Sequence, residues 1–270
     1  MNTNSPAVRT EVRDHVAHVI LARPTKANAL DVAGWHALRD AFRALDERDD
    51  VRVATLTGEG AHFCAGIDLA VLSDLRQHSR ATTGSDSRNR ERLWRWIVEL
   101  QGCVNAIEHC RHPVIAALHG VCYGGGVDIA CACDLRYATQ NARLCVKEVD
   151  MAVTADLGVL QRLPRLVGDG RARELAFSAR EFSGDEAERM GLVSGVFDSV
   201  DELHRRVQSI AEDLAAKPPL ALHGTKRALL YARDARVADG LKQVADWNAV
   251  ALLSQDVSEA MAVALQARTR

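Results

Sequence analysis

The sequence predicts an α/β protein over its first two thirds and an all-helical region over its last third. Short β-type runs alternate with helical apolar periodicity at first, and helix follows helix from about residue 169 onward. Of the 270 residues, 47% are hydrophobic but only 4% are aromatic. Small aliphatic side chains therefore fill a core large enough for one large domain or two small ones.

The first elements form a strand–helix–strand unit. Val16–Leu21 is a β-type run that ends at a turn, and residues 51–57 form a second run that stops at a glycine. Between them, Asp31 is placed to cap a helix. Apolar side chains follow it at helical spacing: Trp35, Leu38, Phe42 and Leu45. This order is typical of a parallel sheet with helical cover.

The middle of the chain begins with its most polar stretch, residues 77–92. It has no periodic apolar face, so it is predicted to be either a mobile loop over an active site or an ordinary solvated connection. Helical periodicity resumes over residues 93–110, and residues 113–118 form an apolar run suited to a buried strand.

The helices of the last third carry recognisable ends. Ser183 and Ser199 each open a capping box, and Gly191 is placed to end the first of these two helices. Residues 217–219, Lys-Pro-Pro, break the chain before the interrupted helical stretch 220–270.

Composition excludes several classes of function. The net charge is −2 with interspersed signs, which disfavours binding to nucleic acid or an anionic membrane. The seven cysteines form no CxxC pair and the ten histidines form no HxH or HExxH pattern, so no metal site is predicted. Buried thiols, the lack of an apolar run of 18 residues, and termini without a recognisable signal predict a cytoplasmic protein.

Two strand-to-turn junctions are rich in glycine. One runs from Gly58 to Asp68, and the other places Gly124, Gly125 and Gly126 at the start of an apolar helix. The free amides of such a helix can bind a phosphate or stabilise an oxyanion. Neither junction matches the GxGxxG or P-loop pattern. Glycines that serve tight packing alone remain an alternative at this point.

Three carboxylates follow the second glycine turn within an apolar setting. Asp128 and Asp156 could each serve a helix N-terminus, and Glu148 could be exposed. Acids among Val, Ala, Leu and Cys side chains, however, tend to have raised pKa values, which suit proton transfer near neutral pH. They are therefore candidate catalytic residues.

Separated motifs in a fixed order resemble the crotonase, or enoyl-CoA hydratase/isomerase, superfamily over residues 8–267. The motifs are Arg23-Pro-Thr-Lys-Ala-Asn-Ala-Leu30, Phe63-Cys-Ala-Gly-Ile-Asp68, His119-Gly-Val-Cys-Tyr-Gly-Gly-Gly-Val-Asp128, Cys133-Asp-Leu-Arg-Tyr-Ala138 and Gln161-Arg-Leu-Pro164. Residues 146–156, 230–234 and 246–248 resemble dienoyl-CoA isomerases, which move a 3,5-diene into conjugation at 2,4.

The resemblance implies a fold and a site. The fold is a crotonase-like ββα spiral over residues 1–200, with a helical region over residues 201–270 for oligomerisation into trimers or hexamers and for contacts with CoA. The backbone amides of Ile67 and Gly125 would form an oxyanion hole for the thioester. Glu148 and Asp156 would be paired proton carriers, with Asp128 as a third acid in the pocket.

The resemblance also implies an acyl-CoA thioester as substrate, with CoA belonging to the substrate and no separate cofactor. The residues implied in binding it are Lys26, Ala27, Ala29, Ala65, Gly66, Gly124 and, for the CoA phosphates, Lys226 or Arg227.

Two alternatives remain. The first is a hydratase that adds water to a 2-enoyl-CoA with Asp128 and Glu148 as the acid pair. The resembling hydratases carry Glu at the position of Asp128 and no acid at that of Asp156, and both departures favour the isomerase. The second is a non-catalytic homologue that binds acyl-CoA or RNA. The intact acids and glycines, and the absence of a basic or aromatic stripe, argue against it.

Overall fold

The computed structural model describes residues 6–74 and 86–268. Its strands are β1 (Val8–Arg13), β2 (Val16–Leu21), β3 (Val53–Gly58), β4 (Val114–Leu118), β5 (Val121–Tyr123), β6 (Leu135–Thr139), β7 (Arg143–Cys145), β8 (Phe182–Ser183) and β9 (Val196–Phe197). Its helices are α1 (Val32–Asp46), α2 (Asp86–His109), α3 (Gly125–Ala132), α4 (Val159–Val167), α5 (Asp169–Ser178), α6 (Gly184–Met190), α7 (Val200–Ala215), α8 (Pro219–Tyr231), α9 (Val237–Ala251) and α10 (Gln255–Arg268). Short 3₁₀ helices span Pro24–Lys26 and Glu148–Met151.

The strands form two sheets. The larger one has the order β1-β2-β3-β4-β6-β9, and the smaller one has the order β5-β7-β8. In the large sheet only the β1–β2 pair is antiparallel. The predicted α/β class and parallel sheet are confirmed, because right-handed strand–helix–strand crossovers place successive strands side by side in one direction.

The core lies where α1, α2 and α3 pack on the sheets. Trp35, Leu38 and Phe42 are fully buried on the face of α1 that the periodicity indicated. A second apolar cluster joins α7 to the other face of the large sheet, through Leu203 and Val207. Almost all of helix α7 follows the domain boundary predicted at residue 200, and the helix packs on the large sheet of the preceding region.

The predicted helix ends are confirmed. The Asp31 side chain accepts a hydrogen bond from the Gly34 amide at 2.8 Å. Ser183 and Ser199 cap α6 and α7 in the same way, and Gly191 ends α6 with φ of +82°. Each cap satisfies amides or carbonyls that a helix leaves without partners at its ends.

The polar stretch 77–92 is only partly a connection. Residues 77–85 lie outside the described part of the chain, but α2 begins at Asp86, so the prediction of a loop is wrong for residues 86–92. The exposed first turns of α2 have no apolar face, and charge pairs stabilise them instead. Asp86 pairs with Arg90, and Glu91 pairs with Arg95 at 2.6 Å, both at i,i+4 spacing.

The last three helices present much apolar surface to solvent. Leu229, Val237, Leu241, Val250 and Leu253 are all exposed, and an open groove of about 840 Å³ runs between α8, α9 and α10. Oligomerisation through this region stays a prediction. No helix in the described ranges is long and apolar enough to span a bilayer.

All seven cysteines are buried free thiols, as predicted. Burial raises the pKa of each one, that of Cys64 to about 12, because a thiolate loses its hydration in an apolar interior.

Candidate active site

The two glycine turns meet in space. Gly66 has φ of +85°, and a Cβ on it would lie 2.8 Å from the Gly125 nitrogen and 2.8 Å from the Tyr123 oxygen. Only glycine allows backbones to approach this closely with a left-handed φ. Glycine is thus required at position 66, where the two turns touch. This contact brings Ile67 and Gly125 close to each other.

The amides of Ile67 and Gly125 are both free to bind a ligand. Leu30 pairs with Ile67 in a short parallel bridge, in which Leu30 donates to the Gly66 oxygen at 2.8 Å and accepts from the Asp68 amide at 2.9 Å. Because amides alternate in direction along an extended chain, the Ile67 amide faces the opposite side. Gly125 is the first residue of α3, where helical amides have no internal acceptor. Within the described residues, neither amide donates a hydrogen bond.

Backbone bonds hold the two turns in place. The Ala65 amide donates to the Ala27 oxygen at 2.9 Å, and the Tyr123 amide donates to the Cys64 oxygen at 3.0 Å. Behind the second turn, the Gly124 amide donates to the Cys145 oxygen at 2.9 Å. The amide pair is therefore preorganised, which is the property that makes an oxyanion hole effective.

Glu148 lies beside the second glycine turn. It opens the 3₁₀ helix Glu148–Met151, and its Oε1 would lie 3.2 Å from a Cβ on Gly124. Its Oε2 is buried and has no hydrogen-bond partner in the described structure. Burial raises the pKa of Glu148, and the nearby charge of Asp156 raises it further. A carboxyl with a buried, unbonded oxygen is suited to exchanging a proton with a substrate.

Asp156 is exposed and lines a cavity of about 630 Å³ together with Gln101, Asn105 and Arg162. Desolvation raises its pKa. Its charge also raises the pKa of Glu148, so the two carboxyls are near enough to interact. That they act as a pair on one substrate stays a prediction.

Asp128 is almost fully buried. Only 1% of it is exposed, and its Oδ1 accepts a hydrogen bond from the Val159 amide at 2.6 Å. Burial, with the charge of Glu148, raises its pKa to about 8. It therefore caps α4, 31 residues away, close to the other two acids, whose charges act on it. Its part as a third acid in the pocket stays a prediction.

Asp128→Asn is expected to make stability less sensitive to pH. An unfolded aspartate binds its proton only below about pH 4, whereas the folded chain holds it up to about 8. Between these values the folded state binds more protons, so stability falls as pH rises. Asparagine keeps an oxygen for the Val159 amide but never ionises.

The free energies of unfolding of the two proteins should therefore diverge in favour of the variant between about pH 4 and pH 8. Urea denaturation at several pH values measures this. A difference that stays constant across the range would contradict the buried, proton-binding role of Asp128.

The segment predicted to hold CoA lies beside the first glycine turn. Lys26 is exposed, Ala27 has φ of +48°, and Ala29 is buried. Sequence reasoning missed Asn28, which is fully buried with φ of +56°. Its side chain donates to the Glu59 and His62 oxygens and accepts from the Arg23 amide. The signal was available, since asparagine is the non-glycine residue that best tolerates a left-handed turn.

The prediction that Lys226 reaches CoA phosphates is wrong in this chain. Its ammonium is buried, lies 2.7 Å from the Asp134 carboxylate and donates to the His112 oxygen at 3.0 Å. A charge can be buried only when it is paired in this way, so Lys226 fixes α8 on the core. The neighbouring Arg227 packs over the ring of Trp247.

In the described part of the chain, no group of three or more His, Cys, Asp or Glu side chains is arranged to hold a metal ion. The described residues do include two free amides at the touching glycine turns, Glu148 beside Gly124, and Asp156, whose charge raises the pKa of Glu148. Such a site can stabilise a developing negative charge on an oxygen and move protons beside it.

The sequence matches known proteins over nearly its whole length. The family model described as enoyl-CoA hydratase/isomerase matches residues 11–263. The chain is 47% identical to the peroxisomal Δ(3,5)-Δ(2,4)-dienoyl-CoA isomerase of Arabidopsis thaliana, over 97% of this chain and 94% of that protein. It is 42% identical to the mitochondrial enzyme of the same name from Homo sapiens, over 92% of this chain and 75% of that protein.

Solved structures show the same fold. The enoyl-CoA hydratase of Bacillus anthracis superposes with a TM-score of 0.86 at 29% identity, covering 96% of both chains. A Thermobifida fusca protein solved in complex with acetoacetyl-CoA superposes with a TM-score of 0.80 at 29% identity, covering 92% of this chain and 95% of that one.

The names of the relatives contradict the prediction of a cytoplasmic protein. The Arabidopsis relative is named peroxisomal and the human one mitochondrial. Composition was a poor guide because compartments are specified by short segments that receptors recognise, not by the folded domain.

Proposed function

This chain belongs to the enoyl-CoA hydratase/isomerase family, with the crotonase-like fold that the sequence predicted, and we propose that it converts 3,5-dienoyl-CoA to 2,4-dienoyl-CoA. The relatives named for this reaction match nearly the whole chain, at 47% and 42% identity. The substrate is an acyl-CoA thioester, and CoA enters and leaves as part of it.

One observation carries the proposal: Glu148 lies beside Gly124, at the turn that holds the free Gly125 amide, and the charge of Asp156 raises the pKa of Glu148. A shift of two double bonds removes a proton at C2 and adds one at C6, four carbons away. A single carboxyl cannot stand beside both carbons. Two carboxyls on separate segments suit this reaction.

The amides of Ile67 and Gly125 would receive the thioester oxygen. As the C2 proton leaves to one carboxylate, the electron pair spreads over C2 to C6 and the thioester oxygen. Each positioned amide contributes about 3–4 kcal/mol to stabilising the resulting dienolate. The second carboxyl, in its acid form, then donates a proton to C6. The number of protons balances, because the carboxylate gains one proton and the carboxylic acid loses one.

The raised pKa values of Glu148 and Asp156 support the proposal that these two carboxyls transfer the protons. Burial raises both values, and the charge of Asp156 raises that of Glu148 further. A raised pKa suits a carboxyl to exchanging protons near neutral pH, as both steps of the reaction require. Either assignment of the two roles satisfies the chemistry.

The hydratase alternative is less well supported. A hydratase of this family would need Asp128 and Glu148 to share a water molecule. The Oδ1 of Asp128 is already bonded to the Val159 amide, and the side chain is buried. A non-catalytic role would leave the unbonded Oε2 of Glu148 unexplained, because burying such an atom has a free-energy cost.

The test is to incubate the purified protein with a 3,5-dienoyl-CoA and follow the conjugated 2,4-diene by its absorbance. A parallel reaction with crotonyl-CoA follows the loss of the enoyl absorbance. We expect rapid isomerisation and, at most, slow hydration. Rapid hydration without isomerisation would establish the hydratase instead, and binding of acyl-CoA with neither reaction would favour the non-catalytic homologue.

A further inference from the structure

The backbone that carries Asp156 is held by a side chain from α2. Gln101 donates from Nε2 to the Asp156 carbonyl oxygen at 2.7 Å. The contact joins residues 55 positions apart. Asp156 lies before α4, in a stretch without regular secondary structure, so side-chain contacts of this kind determine where its carboxyl stands.

A second side chain holds the next two residues. Arg162 donates from Nη1 to the Leu157 oxygen at 3.3 Å. The same guanidinium lies directly on Gly158, which has φ of +119°, and a Cβ on Gly158 would be 1.9 Å from Nη1. Any other residue at position 158 would displace the arginine, so the glycine and the arginine form one unit.

Arg162 is itself rigidly held. Its Nε and Nη2 donate to the two carboxylate oxygens of Glu108 at 3.1 and 2.7 Å, and Nη2 also donates to Asn105 at 2.7 Å. Arg233, just beyond α8, pairs with the same Glu108. The Glu108 and Arg162 side chains are each only 11% exposed. A bidentate pair of this kind fixes direction as well as distance.

We propose that Gln101 and Arg162 are positioning residues that set the place of the Asp156 carboxyl relative to Glu148. The inference rests on the proposed isomerisation. Gln101, Asn105 and Glu108 all lie on α2, so this one helix aligns the segment 156–158 from two points. Gln101 and Arg162 each donate to a backbone oxygen of the segment 156–158. Both act through the backbone that carries the acid.

A misplaced Asp156 has a specific consequence. A displacement of about 1 Å at a reacting group can lower the rate by roughly 100-fold. Here the loss would fall on one of the two proton transfers, because Glu148 is held by a different segment. General destabilisation of the fold would slow both transfers together. The two cases are therefore separable.

The experiment measures deuterium exchange from heavy water at C2 and C6 of the acyl chain, together with kcat and KM for isomerisation. Asp156→Asn and Glu148→Gln serve as references, since each should suppress exchange at a different carbon. Gln101→Ala is the main variant, and Gln208→Ala is its control. Gln208 likewise bonds a side chain, that of Glu212, but on the remote helix α7.

We expect Gln101→Ala to lower kcat about tenfold with KM changed less than about twofold. Exchange should slow at the carbon that Asp156→Asn affects and persist at the other. Arg162→Lys, which keeps the charge but loses the forked contact, should give the same pattern more strongly. Its control is Arg180→Lys, because Arg180 likewise donates hydrogen bonds to two carboxylates, those of Glu174 and Glu186.

Several outcomes would overturn the inference. One is a rate of deuterium exchange in Gln101→Ala that equals the rate in the unaltered protein at both C2 and C6. Another is an exchange rate that falls equally at both carbons. If Arg162→Lys fails to fold, the result with Gln101→Ala decides. Absence of isomerisation by the unaltered protein would overturn the proposed function itself, a distinct result.

Discussion

Glu148→Gln and Asp156→Asn are each expected to lower kcat by about a thousandfold or more, with acyl-CoA affinity changed less than about twofold. General acid or base catalysis by one carboxyl typically contributes about 10²- to 10⁴-fold. An amide side chain has nearly the same shape but neither removes nor delivers a proton. The effect should therefore appear in kcat and not in KM.

Isomerisation kinetics, with calorimetric titration of an acyl-CoA, measures both quantities. Asp150→Asn is the matched control, since Asp150 lies on the same 3₁₀ helix as Glu148 but pairs with exposed Lys147 at 2.5 Å. That variant should keep nearly full activity. Turnover within about tenfold of normal in either Glu148→Gln or Asp156→Asn would refute the assignment of that acid.

Gly66→Ala should remove most of the activity by a different route. The new Cβ would lie 2.8 Å from the Gly125 nitrogen, where contacts of this kind do not occur without a shift, and the φ of +85° disfavours any side chain. Moving either amide misaligns the pair that faces the thioester oxygen. Loss of one oxyanion donor costs roughly 100- to 1,000-fold in kcat, and we expect a decrease of about that size.

Gly170→Ala is the control for this substitution. A Cβ on Gly170 meets no atom within 4 Å, so that variant should retain normal kcat. Thermal unfolding must remain cooperative in Gly66→Ala for the comparison to be valid. Normal turnover by a folded Gly66→Ala protein would mean that the amides of Ile67 and Gly125 do not act together on one oxygen.

Local signals in the sequence predicted the framework well. Asp31, Ser183 and Ser199 cap their helices as expected, because a cap depends on neighbours within three residues. The glycine turns were also found, and they touch in the structure with Glu148 beside Gly124; the pairing of Glu148 with Asp156 stays a prediction. Their roles in catalysis came from the family resemblance and remain proposals.

Contacts between distant residues account for what was missed. Asp128 accepts a hydrogen bond from the first amide of a helix 31 residues away, a contact that its position in the sequence did not indicate. Lys226 looked like a free cation but is paired with Asp134, 92 residues away. Gln101 and Arg162 carry no motif that marks them as partners of the Asp156 segment. Such pairings depend on the tertiary packing, which one sequence does not reveal.

The buried cysteines have a practical consequence for studying this enzyme in solution. A thiol whose pKa stands near 12, as that of Cys64 does, is almost entirely protonated at neutral pH and reacts slowly with maleimides or iodoacetamide. All seven native cysteines lie beneath the surface. A single cysteine engineered on an exposed helix would therefore accept a fluorophore or spin label selectively, with no need to remove the native thiols first.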